Sequence, residues 1–554
     1  MHKNLCGGLS MDNSSGFTWW KHGVIYQIYP RSFYDASGDG VGDLPGIIEK
    51  LDYLARLGVD AVWLSPVNTS PMYDFGYDIS DYRGIDPVFG TLGDCDRLIA
   101  EAHRRNIRIV MDLVINHTSH LHPWFVESRS SRENPKRDWY IWRDGKNGKP
   151  PNNWMAAFGG RAWEWDDATE QYYYHSFLKE QPDLNWRNPD LRKAVFDDVR
   201  FWLDRGVDGF RLDAVSWYVK DALFRNNPFG WGPNAPRPYD LQTHVYDQNR
   251  PELHDVLREF RKVLDEYDDR MGVGETYIAS PDSVKTAASY IGSGTDELHL
   301  AFDFSLLFSG YGARRFRDCL EEWYAAMPGR GWPTLVMNNH DQPRSVTRWC
   351  RGRDGEKKAR LLAALLLTAW GTPCLYYGEE IGMKNGRIIR RQIQDPVGRK
   401  YWPFNKGRDP ERTPMQWSAE KNAGFSSAEP WLPVADDYRS VNVALQEEDP
   451  GSVLQHYRRL IALRKREPAL VYGDFRPLSP EPGPYVYART LGDTRLIVAL
   501  NWSGEPVTLP VGDWFDPRSA TLLLANGAPP DLDTGGAGTL TLGPWRACIY
   551  RTGP

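Results

Sequence analysis

Short apolar runs alternate with amphipathic helical segments along most of this chain, and that alternation restricts the fold more than any other feature of the sequence. The first unit is GVIYQIYPRSF at 23–33. A helical period over 44–57 follows it, setting Ile47, Leu51 and Leu54 at i, i+4 and i+7 and closing at Gly58. VDAVWLSP, IRIVMDLVIN, VDGFRLDAV, MGVGET, LHLAFDF, TLVMNN and TPCLYYGEE continue the series, with helical patterns between them and a last helix over 452–467. Eight strands in such a series predict an α/β fold of the (β/α)₈ TIM-barrel type, because a doubly wound sheet rarely needs eight repeats. Functional groups then belong at the C-terminal ends of the strands.

Two stretches are too long for ordinary connections: the polar, Trp-rich 117–184 after strand three, and 381–451 after strand eight. The first is expected to be an inserted lid subdomain, which leaves 17–116 and 185–467 to the barrel, and both are expected to build walls of the site. From 468 the helical period vanishes. YVYARTLGDTRLIVALNW, PVTLP, SATLLLAN and TLTLGPWRACIYR read as short strands, so 468–554 is expected to be a C-terminal antiparallel β-sandwich. A chain of 554 residues exceeds what one core supports, in keeping with this division.

Residues 1–16 are small and polar, read as an upstream extension before Met11, and are expected to be disordered. They contain no apolar signal-peptide core, and no stretch is apolar enough to span a bilayer. The six cysteines are scattered without CxxC spacing, which points to reduced thiols in the cytoplasm. A net charge of -6 gives no field to attract polyanions, so nucleic acid is not an expected partner. The 23 Trp and 28 Tyr suit either a large aromatic core or sugar-stacking faces. Monomer and homodimer remain equally open.

In GFRLDAVSW, Arg211 and Asp213 stand two residues apart on a strand and so point to one side, towards the barrel mouth. The cation keeps the carboxylate ionised and oriented, as a nucleophile requires, although a structural ion pair has the same pattern. GVGETY ends the next strand on Glu275, where partial burial can raise the pKa into the range of a general acid. MNNHDQPR ends strand seven on His340 and Asp341, which alone is also the pattern of a satisfied surface pair. Taken together, carboxylates from the ends of different strands on one face match the pair of carboxyl groups that glycoside hydrolysis requires.

DLVINH (112–117), GFRLDAV (209–215), GETY (274–277) and NNHDQP (338–343) stand in the order and spacing of the α-amylase-type glycoside hydrolase family, which this chain resembles. YQIYPRSF, QPDLN (181–185) and RTPMQW (412–417) extend the resemblance over essentially the whole chain, towards the oligo-1,6-glucosidase and α-glucosidase branch. The resemblance implies Asp213 as nucleophile, Glu275 as general acid/base, and Asp341 as a third carboxylate that grips ring hydroxyls. It also implies that Arg211 partners the nucleophile, that Asp112 braces Arg211, and that His117 and His340 donate to sugar hydroxyls. Asp74 and Tyr77 of YDFGYDISDY match the residues that close the branch's glucose pocket, Tyr77 under the ring and Asp74 acting with Arg412. For Tyr77 alone, ordinary packing is the simpler reading.

The loop DASGDGVGD (35–43) offers oxygens from Asp35, Ser37, Asp39 and Asp43, plus the Val41 carbonyl, around a turn that Gly40 permits. It lacks the final glutamate of an EF-hand and follows a strand. The resemblance implies a structural Ca²⁺ (or Mg²⁺) there. A hydrogen-bonded acidic turn without an ion is the alternative. No Walker A, GxGxxG, HExxH or GxSxG motif occurs in a suitable context, so no organic cofactor is expected.

The expected activity is that of a retaining, exo-acting α-glucosidase on short α-glucosides, working through a covalent glucosyl-enzyme. A transglucosylase or a sucrose or maltose isomerase would share the motifs, and a catalytically inert scaffold of the family is the non-enzyme alternative. Ala214, next to the nucleophile, favours α-1,4 bonds (with sucrose as a further substrate), since α-1,6-preferring enzymes of this branch typically carry valine there. QPDLN, shared with the oligo-1,6-glucosidases, pulls the other way.

Overall fold

The computed structural model describes residues 16–552 apart from 233–236, 278–281, 480–481, 512–513, 515–518 and 534–537. The expectation for 1–16 therefore falls outside the described residues, apart from Gly16. Eight parallel strands form the central sheet: β1 (Ile25–Ile28), β2 (Ala61–Leu64), β3 (Arg108–Leu113), β4 (Gly209–Leu212), β5 (Met271–Gly274), β6 (Leu300–Ala301), β7 (Thr334–Val336) and β8 (Thr372–Tyr376). Their order is β6-β5-β4-β3-β2-β1-β8-β7, and every recorded neighbour runs parallel. The barrel closes between β6 and β7 through a side chain, the Thr334 hydroxyl donating to the Ala301 carbonyl at 2.6 Å.

Helices cover the outside while side chains fill the inside, so the strands are buried on both faces and read as continuous apolar runs. The interior is packed by Ile25, Ala61, Trp63, Val110, Met271, Val273, Val336 and Cys374. β4 breaks the rule by contributing Gly209 and Arg211. A Cβ on Gly209 would stand 2.6 Å from the Met271 carbonyl oxygen, so only glycine lets β4 and β5 approach.

The outer helices follow from caps and apolar stripes. Asn188 caps Pro189–Asp204 by accepting from the Asp190 and Leu191 amides, with Pro189 preset for the first turn. Leu253–Leu264 buries Leu253, Val256, Leu257, Phe260, Val263 and Leu264 against the barrel, each worth about 1.5–3 kcal/mol. Leu257→Ala would cost about 2–5 kcal/mol there. Ser452 caps the last helix of the barrel, Val453–Arg466. The helix expected over 44–57 is divided at Lys50, into Leu44–Glu49 and Leu51–Leu57. The Lys50 ammonium sits 3.6 Å from the Tyr34 ring centroid and 4.7 Å from that of Trp417, an aromatic hold that periodicity does not reveal. Gly58 closes the second piece in the left-handed conformation, φ 94°.

Within 117–184, helix Pro123–Ser130 packs Phe125 into the main core, and a three-stranded antiparallel sheet (Trp142–Arg143, Gln171–Tyr174, Trp163–Asp166) borders a small core that includes Trp154 and Trp163. After helix Pro468–Tyr472, a five-stranded and a three-stranded antiparallel sheet pack over one cluster that includes Val486, Ile497, Leu540, Leu542 and Cys548, which makes the C-terminal β-sandwich. Among the described residues, Cys95, Cys319, Cys350, Cys374 and Cys548 are unpaired thiols, and no helix is long and apolar enough to cross a membrane.

Candidate active site

Arg211 stands where β4 meets the barrel mouth, 1% exposed, and its guanidinium binds three carboxylates from three adjacent strands. Nη1 reaches Asp112 Oδ1 and Asp213 Oδ1, both at 2.7 Å, and Nη2 reaches Glu275 Oε1 at 2.6 Å. β-Strand alternation explains why Arg211 and Asp213 face the same way, and the parallel registers Asp112↔Arg211 and Gly274↔Leu212 bring the flanking carboxylates level with them. Asp112 is also held by the Tyr77 hydroxyl at 3.1 Å and the Trp63 indole at 3.3 Å, so it braces the arginine from β3.

Glu275 Oε2 accepts the Ala214 backbone N–H at 2.9 Å. Ala214 is in the left-handed region, φ 47° ψ 40°, a conformation that an L-residue adopts only when its surroundings impose it. Here it turns the chain directly after Asp213 and aims that N–H at the second carboxylate. Burial pushes Glu275 and Asp213 each up to about 7 against the pull of Arg211. Burial likewise pushes Asp112 up to about 6. Two buried carboxyls sharing one cation ionise in sequence: the first takes the guanidinium, and its charge holds the proton on the second. That is the electrostatic requirement for one anionic and one protonated group in the same site.

Asp341 follows β7 and faces two arginines, Arg412 Nη2 at 2.8 Å and Arg408 Nη1 at 3.4 Å from Oδ1. Burial opposes its ionisation, but the neighbouring cationic groups hold it well below the ordinary carboxylate range. Burial also keeps the His340 ring neutral, so the arginines rather than the imidazole are responsible. His340 stacks parallel to Tyr77 at 5.4 Å between centroids and shares a 2.6 Å hydrogen bond with its hydroxyl through Nε2. His117 Nε2 donates to the Tyr77 carbonyl at 2.8 Å, close to Gln181 Nε2 at 3.1 Å. Both histidines, implied as donors to sugar hydroxyls, thus have protein partners that a sugar would have to replace.

Asp74 and Tyr77 lie in the loop after β2, both buried. Asp74 pairs with Arg408 rather than with Arg412. Arg408 Nη2 reaches its Oδ1 at 2.5 Å, whereas Arg412 turns away, Nε to the His340 carbonyl at 2.8 Å and Nη2 to Asp341. A short 3₁₀ turn, Asp409–Glu411, separates the two arginines, so the first reaches towards Asp74 while the second is fully buried behind Asp341. Arg408 also pairs with buried Asp395. Sequence reasoning missed it; its place four residues ahead of Arg412 in GRDPERTPMQW was the available signal. Gln181 of QPDLN, read only as a signature, donates to Asp74 Oδ2 at 3.3 Å. Ala214 packs with Trp217 and Tyr239, with Met155, Phe177 and Tyr277 around them, which makes the side of the site next to Asp213 apolar.

In the acidic loop, Asp35 accepts from the Ser37 hydroxyl at 3.0 Å, the Gly38 and Gly40 amides at 2.7 and 2.8 Å, and the Ser426 hydroxyl at 2.6 Å. Asp43 accepts from the Ser37 and Gly46 amides at 2.9 and 2.6 Å and caps the helix that follows, while Asp39 accepts from the Val41 amide at 2.8 Å. The donor set is all oxygen and chemically suits a hard cation. As placed, however, it closes on its own hydrogen bonds, and among the described residues no three Asp, Glu, His or Cys side chains gather to hold a metal ion.

An eight-stranded parallel barrel with paired carboxylates on one arginine at the C-terminal ends of β4 and β5 defines a class, the barrel enzymes that cleave or transfer glycosidic bonds. Residues 27–473 match the family model described as alpha amylase, catalytic domain, and the chain belongs to that family. A probable alpha-glucosidase of Rhizobium meliloti is 47% identical over 501 residues, 88% of this chain and 90% of that protein. An oligo-1,6-glucosidase of Parageobacillus thermoglucosidasius is 44% identical over 568 residues, 96% of this chain and 99% of that protein. Among solved structures, the alpha-glucosyl transfer enzyme XgtA superposes with a TM-score of 0.89 at 42% identity, covering 97% of this chain and all of that one.

Proposed function

We propose that this protein is a retaining, exo-acting α-glucosidase that removes glucose from the non-reducing end of short α-glucosides. The observation that carries the proposal is the single guanidinium shared by Asp213 and Glu275. Asp213, ionised beside Arg211, attacks the anomeric carbon as Glu275 protonates the departing oxygen. Glu275 then deprotonates the water that releases glucose, and Arg211 balances charge throughout. The names of the relatives support the substrate class, and the buried Asp74 and Tyr77 with the half-buried Arg408 support a closed pocket for a terminal glucose. Initial-rate NMR with p-nitrophenyl α-glucoside, whose only glucose comes from the cleaved anomeric centre, tests it: α-glucose as the first product supports retention, and β-glucose rejects it.

Linkage preference belongs to the same proposal. α-1,4 is favoured over α-1,6 because Ala214 leaves room beside the leaving sugar, and a methylene there changes discrimination by about 1–3 kcal/mol. Ala214→Val is expected to shift the maltose to isomaltose ratio of kcat/KM towards isomaltose; an unmoved ratio rejects the assignment. A second reading, transfer to a sugar or alcohol, is favoured by the apolar surroundings of Ala214 and Trp217, which suit an organic acceptor better than water. An inert scaffold would turn over no chromogenic α-glucoside.

A Ca²⁺ (or Mg²⁺) in the loop 35–43, held by Asp35, Ser37, Asp39, Asp43 and the Val41 carbonyl, is the structural part of the proposal, and the oxygen spacing supports it. Chelation should lower Tm if the ion exchanges for the loop's hydrogen bonds, and an unchanged Tm with no ion by elemental analysis rejects it. The cytoplasm is the proposed compartment, supported by the unpaired thiols.

A further inference from the structure

A groove of about 380 Å³ opens on the flank of the barrel, between the hairpin strand Asp81–Ile85, the start of helix Pro123–Ser130 and the helix Pro189–Asp204. Its volume is in the range of small-ligand pockets, and none of its lining residues takes part in the chemistry above. One wall is aromatic. Trp124 is wedged against Trp139, His122 and Tyr82, with centroids 5.0, 4.5 and 5.7 Å away, so its ring is fixed rather than mobile. The opposite wall carries Asp197 and Asp198, and Asp81 stands at the rim.

Hydrogen-bonding capacity and charge decide what such a groove binds. His122 Nδ1 accepts the Trp124 amide at 3.1 Å, and burial lowers the imidazole to about 4, so the neutral ring carries its proton on Nε2 as a donor. Asp198 is paired with Arg83 at 2.6 Å, whereas the Arg200 that reaches Asp197 at 3.2 Å is held closer by Glu266 at 2.6 Å and Asp81 accepts the Arg83 backbone amide, so the wall is rich in acceptors and its carboxylate charge is only partly cancelled. Three carboxylates exclude an anionic ligand and supply acceptors for hydroxyl donors. A planar indole beside neutral donors and carboxylate acceptors suits a polyhydroxylated ring, whose C–H face stacks while its hydroxyls hydrogen-bond.

We propose that this groove is a second, non-catalytic binding site for a neutral oligosaccharide; the choice of sugar rests on the function proposed above. Tyr82 ties the groove wall to the stretch after β3, its hydroxyl donating to the carbonyls of Val114 at 2.9 Å and His117 at 3.2 Å.

Calorimetric titration of full-length Asp213→Asn protein with maltotetraose tests the site. Two binding events are expected, and Trp124→Ala in the same background should abolish the weaker one alone. Asp197→Ala, at a partly exposed position that spares the core, should weaken that event about ten-fold, as for loss of a charged hydrogen bond. In the active enzyme, Trp124→Ala should leave kcat/KM for p-nitrophenyl α-glucoside unchanged. A single event in Asp213→Asn, or isotherms indifferent to both groove substitutions, overturns the second site without touching the catalytic proposal. Loss of the tighter event alone would instead count against the α-glucoside pocket.

Discussion

Arg211 distributes one positive charge over Asp112, Asp213 and Glu275, and the chemistry depends on how the protons follow that charge. With Asp213 and Glu275 both near 7, activity should rise with the first ionisation of the pair and fall with the second, giving a bell whose alkaline limb lies near pH 7. Glu275→Gln should remove that limb, keep glucosylation by an activated aryl α-glucoside, lose it with maltose, and accept azide as an external nucleophile. Equal losses on both substrates in single-turnover measurements would show that Glu275 is not the acid. Arg408 belongs at this scale too. Arg408→Ala leaves Asp74 buried without its cation, so kcat/KM should fall by roughly 10- to 150-fold, the equivalent of 1.5–3 kcal/mol for a charged hydrogen bond. A loss no greater than that of a surface arginine would remove it from the glucose pocket. Asp213, Glu275 and Asp341 were legible because strand ends and motif order name them; Arg408 was not, because its reach depends on a 3₁₀ turn that carries no periodic signal.

The turn Glu379–Ile381 after β8 places two acids in the core. Tyr26 and Tyr53 donate to Glu380 Oε1 at 2.8 and 2.6 Å, and Tyr457 and the Tyr376 amide donate to Glu379 at 3.3 and 3.1 Å. Burial pushes Glu379 up to about 7. A folded pKa above the unfolded one means that the native state binds the proton more tightly. The contribution is therefore complete below the unfolded value of about 4.3 and is lost as pH rises through about 7. Glu379→Gln should flatten the fall of Tm between about pH 4 and 7 and raise Tm at pH 8 by roughly 1 °C for each kcal/mol in a chain of 554 residues. A Tm–pH curve parallel to wild type would mean that this acid does not titrate there. The barrel strands were readable as apolar runs because both faces are buried, whereas the division of the first helix at Lys50 was not, since it follows from contacts with Tyr34 and distant Trp417.

Across the whole molecule, segments far apart in sequence complete one pocket. The barrel supplies Arg211, Asp213 and Glu275, the loop after β2 supplies Asp74 and Tyr77, the stretch 117–184 supplies Gln181, and the stretch after β8 supplies Arg408 and Arg412. The length of 117–184 and 381–451 announced that they would build walls, but which side chains they would present depended on folding. The central claim is that Asp213 and no other carboxylate bonds to the sugar. Its most direct test is peptide mapping by mass spectrometry of Glu275→Gln protein quenched during turnover of an activated aryl α-glucoside, where deglycosylation is slow enough to trap the adduct. A hexosyl group is expected on the peptide that contains Asp213, absent when Asp213→Asn is added. A hexosyl group on any other residue, or none while aryl alcohol is still released in a burst, would contradict it.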